Sequence, residues 1–301
     1  MGNLLYLVIL LALGNISRRL PVFPENTPNV VNLFVIYISF PATILLQINK
    51  IDIQADLMVL ALVPWILVFL SIFSVGLISK FLQWDKKLTG AVLLSVALGN
   101  TAFFGYPAVS AFFGEQSLGY AIIYDQLGSF IALATFGTIV VSIYGTSQKI
   151  SFKTVLLKIV GFPPFIALIA GIFLVKTPVS GMMLKMLEGL SATLVPLAIF
   201  SVGAQLKFRQ PSTNIKPICI AIFLKMILSP MIAFFILMFM GIQGTVFHIS
   251  VFQAGMPSMV MAGVLAATGN LRSDVTNAVI GYGILFSFIT LPILYYILIS
   301  F

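Results

Sequence analysis

The chain reads as an all-α membrane protein of ten transmembrane helices, arranged as two inverted five-helix repeats. Three observations carry that expectation. Of its 301 residues, 60% are hydrophobic and 8% charged, against roughly 45–50% and about 25% in soluble domains, and the mean hydropathy is +1.14. The apolar residues fall into ten continuous stretches, each near the roughly 20 residues that cross a bilayer as a helix. Basic residues gather in alternate connections between those stretches. Continuous rather than alternating apolarity favours helices over barrel strands, since each helix satisfies its own backbone in lipid.

The first stretch, 3–17, contains LLYLVILLAL and resembles a signal-peptide core. No basic residue precedes it, and Arg18 and Arg19 follow where small cleavage-site residues belong, so it is read as a retained span. The start MGNLLY also lacks the Ser or Thr of a myristoylation signal. Spans 2 and 3 follow at 29–48 and 57–79, span 4 at 88–113, span 5 at 117–145 and span 6 at 155–175. Spans 7 to 10 run 182–206, 214–240, 245–268 and 273–299. No stretch is left for a soluble domain.

Charge tests that count, because basic residues prefer cytoplasmic connections. Arg18, Arg19, Lys80, Lys86, Lys87, Lys149, Lys153, Lys158, Lys207, Arg209, Lys216 and Arg272 flank one side, and Lys50, Lys176 and Lys185 the other. Twelve against three puts both termini on the non-cytoplasmic side of a bacterial inner (plasma) membrane and requires an even number of spans. The halves also match in order. Pro21 and Pro178, Pro41 and Pro196, Gly114 and Gly269, and Pro107 and Pro257 each lie 150 to 157 residues apart, which points to a duplicated unit of about 150 residues. The repeats are taken as 1–148 and 149–301. An odd number of crossings per unit inverts the second, the architecture typical of secondary transporters.

Span 4 contains GNTAFFGYPAVSAFFGE and span 9 contains QAGMPSMVMAGVL. Proline removes a backbone donor and clashes with the preceding turn, so helices should break or kink at Pro107 and Pro257. Irregular backbone at membrane depth is tolerated where it lines a cavity or is buried in protein. With proline opening each second half-helix, free N–H groups carry partial positive charge and two facing ends would attract a carboxylate. The alternative is an ordinary pair of packing kinks. Asp125 in span 5 and Lys225 in span 8 are the clearly intramembrane charges, expensive enough to be functional by default. At 1.5 Å per residue their depths nearly coincide, so they are expected either to pair or to leave Asp125 to take up a coupling proton or cation.

These segments, with LGYAIIYDQ, LSATLVPLAIFSVGAQL, Lys225 ahead of Pro230, and TLPILYYIL, resemble the auxin efflux carrier family of bacterial organic-acid permeases and plant PIN-type auxin carriers. The resemblance covers essentially the whole chain. It implies ten helices with spans 4 and 9 unwound and crossing, a scaffold of helices 1, 2, 6 and 7, a mobile transport domain of helices 3, 4, 5, 8, 9 and 10, and elevator-type alternating access. About eight residues separate spans 5 and 6, so the chain resembles the short bacterial type. Asn100 falls where the family places an asparagine at the crossover, and its amide could donate to a carboxylate. Thr101, Gln253 and Ser258 flank the breaks, either touching substrate or repairing backbone.

The expected partners are a small organic anion such as malate or malonate, a coupling proton or sodium ion, membrane lipid and a second copy of the chain. No cofactor is expected. One cysteine, Cys219, and one histidine, His248, exclude a disulfide framework and the usual metal sites. His248 reads as a wet interfacial residue. The net charge of +8 is scattered, against nucleic-acid binding. A membrane-embedded enzyme would need grouped catalytic residues, which one intramembrane Asp does not supply. A passive channel would need a continuous polar lining, whereas polarity here concentrates at one depth.

Overall fold

The computed structural model describes residues 2–51, 57–146, 151–174, 180–206 and 215–301. Among these there is no β-strand, only an isolated antiparallel bridge between Gly99 and Ser258. Lys149, Lys176, Pro178, Lys207 and Arg209, on which part of the charge and repeat argument rests, lie outside the described residues. The helices are α1 (Gly2–Ser17), α2 (Thr27–Ile48), α3 (Leu57–Phe81), α4 (Lys86–Ala97), α5 (Gly105–Phe113), α6 (Glu115–Tyr144), α7 (Phe152–Val160) and α8 (Pro163–Phe173). They continue as α9 (Gly181–Gln205), α10 (Ile215–Phe239), α11 (Gly244–Ala254), α12 (Val260–Thr268) and α13 (Ser273–Ile299).

Each predicted stretch is helical over most of its described residues, and α2, α3, α6, α9, α10 and α13 are each long and apolar enough to cross a membrane. The helix expected over 155–175 is instead two, α7 and α8, bent by 60°. The physical reason is Pro163 and Pro164 at the first positions of α8. They have no N–H to give the preceding turn, and the ring of Pro163 disfavours a helical Phe162, which is extended at φ −78°, ψ 118°. Stretches 4 and 9 are also interrupted, between Ala97 and Gly105 and between Ala254 and Val260. Local signals set other boundaries. The Asp85 carboxylate caps α4 by accepting the Leu88 N–H at 2.8 Å.

The chain divides into two compact units. One comprises residues 1–54, 102–122 and 157–206. Within it α1 lies against α9 at backbone contact: a Cβ on Gly14 would collide with the Phe200 carbonyl, and one on Gly203 with the Leu11 carbonyl. Small residues allow such approach where lipid offers no hydrophobic drive for helices to associate. Polar side chains lock the seam. Asn15 Nδ2 donates to the carbonyls of Gly203 (3.3 Å) and Leu206 (3.2 Å), and Arg18 donates to the latter at 2.7 Å. Across α2 and α9, Ser39 bonds Thr193 at 2.7 Å and Thr43 bonds Ser191 at 2.9 Å.

The second unit comprises residues 55–101, 123–156 and 207–301. Its core joins α3, α4, α6, α10, α12 and α13 through Val68, Leu94, Val140, Ala221, Ala262 and Ala278. Gly128 of α6 is in contact with Pro64 of α3, and Gly90 of α4 with Tyr144. The two intramembrane charges both sit on π-helical stretches of this unit, Asp125 in Tyr124–Ser129 and Lys225 in Leu224–Leu228. Such one-turn bulges re-aim a side chain and recur at functional sites.

Gly14→Leu is expected to force α1 off α9 and lower the thermal unfolding midpoint in detergent, at an overpacking cost of about 1–3 kcal/mol. Gly76→Leu, at a position where an added Cβ meets no other atom within 4 Å, is the control. Equal midpoints for the two variants would refute the close approach.

Candidate functional site

Breaking two helices in an apolar medium releases backbone donors and acceptors that lipid cannot satisfy. In the second unit the breaks satisfy each other. α4 ends at Ala97, and Leu98 turns extended (φ −105°, ψ 108°). From there residues 98–100 run antiparallel to 257–259. The Asn100 N–H donates to the Pro257 carbonyl at 2.7 Å and the Met259 N–H donates to the Leu98 carbonyl at 2.9 Å, on either side of the Gly99–Ser258 bridge. This is a minimal β-ladder built from two helix interruptions.

The prolines do not stand where the sequence placed them. Pro257 lies inside the break, three residues ahead of the first residue of α12, and contributes its carbonyl. Pro107 is the third residue of α5, in the other unit, where the first-turn N–H it lacks would have found no intrahelical acceptor. The free amide hydrogens expected at the crossover are in part engaged: those of Asn100 and Met259 hold the ladder, and that of Tyr106 reaches the Ala102 carbonyl at 3.1 Å.

Buried polar side chains gather around the ladder. The Thr101 hydroxyl donates to Asp125 Oδ1, and Gln126 Nε2 donates to Oδ2 at 2.7 Å. Gln253 Nε2 donates to the Thr101 carbonyl at 3.1 Å, and the Ser258 hydroxyl donates to the Ser95 carbonyl of α4. Asn100 is buried at the same place. A continuous chain therefore runs Gln126–Asp125–Thr101–Gln253, joining the π-helical stretch of α6 to both interruptions. Two oxygens one helical turn apart, Ser250 Oγ and Gln253 Oε1, are buried with no hydrogen-bond partner in the protein.

Lys225 is 4% exposed and Asp125 2%, but no salt bridge joins them, against the expectation from their matching depths. The ion pair found among the described residues is Arg272–Asp274, at 2.7 Å. The Lys225 ammonium instead lies over the ladder: a Cβ on Gly99 would stand 2.9 Å from its Nζ. Glycine at 99 is thus what lets the ammonium approach the backbone. The two charges diverge because Asp125 is already engaged by Thr101 and Gln126, while the π-helical stretch of α10 turns Lys225 toward Gly99.

Of the residues singled out in the sequence, the structure brings Asn100, Thr101, Asp125, Lys225, Gln253, Pro257 and Ser258 into this one unit. Sequence reasoning missed Gly99, Gln126 and Ser250. Ser250 carried a signal, being three residues from Gln253 on one helix face. Gln126 carried none, since nothing in the sequence marks a direct side-chain bond between adjacent residues such as Gln126 and Asp125. His248 is half-buried on α11.

Thr101→Val is expected to remove one donor to Asp125 and destabilise the unit by about 1–3 kcal/mol, read as a lower unfolding midpoint, whereas Thr101→Ser keeps the donor and the midpoint. A Val variant as stable as wild type would remove Thr101 from the network.

The family model described as membrane transport protein matches residues 1–295 of the chain. An uncharacterized transporter of Methanocaldococcus jannaschii is 32% identical over 276 residues, covering 88% of each chain. An uncharacterized transporter of Methanothermobacter thermautotrophicus is 27% identical over 297 residues, covering 97% of this chain and 96% of its own.

Proposed function

We propose that this chain, which belongs to the membrane transport protein family of the auxin efflux carriers, is a secondary transporter of small organic anions, with the substrate bound at the crossover of its two broken helices. The observation that carries the reading is the ladder of 98–100 against 257–259 with a buried ammonium over it. The polar groups beside that ladder are uncharged apart from Asp125 and Lys225. Asp125 accepts from Thr101 and Gln126, whereas the Lys225 ammonium lies directly against the ladder backbone at Gly99, and a cation at that position favours an anion there.

In this reading Asn100 and Gln253 supply amide donors, and Thr101 and Ser258 keep the two interruptions in register. The Gln253 oxygen and Ser250, without protein partners, offer polar contacts to a bound hydroxyl or water. The ladder residues 98–100 and 257–259 belong to the same compact unit, so the site can be carried as one body in an elevator-type movement, with helices 1, 2, 6 and 7 of the ten-helix inverted repeat as scaffold. The membrane is the plasma membrane, with both termini on the non-cytoplasmic side, as the basic-residue bias has it.

Counterflow in proteoliposomes tests this. Unlabelled malate or malonate inside is expected to accelerate entry of the labelled solute, and Asn100→Ala to reduce that exchange about tenfold or more. Flux without trans-stimulation would point to a pore and overturn the carrier. If Asp125 takes up a coupling proton, Asp125→Asn abolishes the pH dependence of uptake; unchanged uptake and unchanged pH dependence eliminate the coupling role.

A further inference from the structure

The first unit holds a cavity of about 500 Å³ that the crossover reading does not use for selection. Its polar lining includes Gln47, Lys50, Ser110, Glu115, Glu188 and Ser191. One lysine against two glutamates gives the wall no positive field, so charge alone does not select an anion here. Hydrogen bonding is left to discriminate.

Two side-chain oxygens near the end of α2, Gln47 Oε1 and Asn49 Oδ1, have no hydrogen-bond partner in the protein, and of these two residues Gln47 is the one that lines the cavity. Thr43 and Ser191 bond each other at 2.9 Å, and Asn49 Nδ2 donates to the Leu45 carbonyl at 3.0 Å. Gln47 is 3% exposed, and its amide oxygen has no hydrogen-bond partner in the protein. A buried amide left unmatched is costly, and a fold that keeps one facing a cavity leaves it to whatever fills that cavity. The surrounding backbone holds it there. The Gln47 carbonyl accepts the Lys50 N–H at 3.1 Å, and Gly119 sits so close that a Cβ would collide with Ile51 and lie 3.1 Å from that carbonyl. The end of α2 is therefore pinned, and Gln47 is held on the cavity wall.

We propose that this cavity is a solute-binding site in which the Gln47 carboxamide reads a hydroxyl on a small carboxylic acid. The amide oxygen accepts the hydroxyl hydrogen, and Lys50, three residues on, takes the carboxylate. The choice of carboxylates rests on the transport reading, whereas the hydroxyl preference rests on Gln47 alone. A site built around a donor or acceptor rejects the analogue that lacks the matching group far more strongly than it rejects a change of shape.

The test uses the purified full chain with Cys219→Ser and Ser110→Cys, which puts a single thiol on the cavity wall, and follows its reaction with N-ethylmaleimide. L-malate is expected to protect the thiol at about tenfold lower concentration than succinate, which differs by the hydroxyl. Adding Gln47→Met should bring the two to within about twofold, and Gln47→Glu, which keeps an accepting oxygen, should retain the preference while weakening both. A thiol that does not react, absent or equal protection by the two acids, or an unchanged preference in Gln47→Met would each overturn the proposal. If Gln47→Met does not fold, loss of the preference in Gln47→Glu overturns it equally. Protection without exchange in proteoliposomes would sink the transport reading and leave this one standing; exchange without hydroxyl-dependent protection would do the reverse.

Discussion

Two helices stopped halfway through an apolar medium leave carbonyls and amides that nothing around them can satisfy, and the architecture of the second unit follows from how that debt is settled. Leu98, Asn100, Pro257 and Met259 exchange their main-chain groups directly, in a two-bond antiparallel contact. Each unmet group would cost several kcal/mol in lipid, so neither interruption is tenable without the other. The same contact fixes what stands beside it. Thr101 follows the ladder on one side and Gln253 precedes it on the other, which is why the Gln253 amide meets the Thr101 carbonyl.

Placing ionisable groups next to such a contact needs further support, and two helical irregularities provide it. The π-helical stretches at Tyr124–Ser129 and Leu224–Leu228 each carry one of the intramembrane charges. The acid is held by the hydroxyl of Thr101 from the interruption after α4 and by the amide of Gln126 on its own helix, so its oxygens are solvated by the protein in place of water. The ammonium has the opposite solution, lying against backbone at a position where a side chain has been dispensed with. A carboxylate satisfied by neutral donors and a cation at the ladder give the site a polarity that either charge alone would not.

The first unit is built on closeness. Gly14 and Gly203 let α1 and α9 meet main chain to main chain, and Asn15, Arg18, Ser39 and Thr43 then make polar bonds across the helices. Against that background the unmatched Gln47 is conspicuous, because of the two nearby side-chain oxygens without a partner, Gln47 Oε1 and Asn49 Oδ1, the former belongs to the residue on the cavity wall. Unlike the ladder, where the protein completes its own bonds, this cavity leaves one open.

Helical state and approximate limits were legible in the chain because in lipid an apolar run of sufficient length has one way to satisfy its backbone, so composition and length alone decide. The interruptions were legible too, since proline and glycine act locally. Locality also set the limit of that reading. Whether Pro257 begins a helix or lends a carbonyl depends on Asn100, more than 150 residues away, and whether Asp125 meets Lys225 or Thr101 depends on π-helical shifts that leave no mark in the hydrophobic period. Equal depth along two helices says nothing about azimuth around them. The partners of Asp125, the glycine beneath Lys225 and the unmatched amide of Gln47 were therefore decided by tertiary structure, because each is set by which helix face turns toward which neighbour.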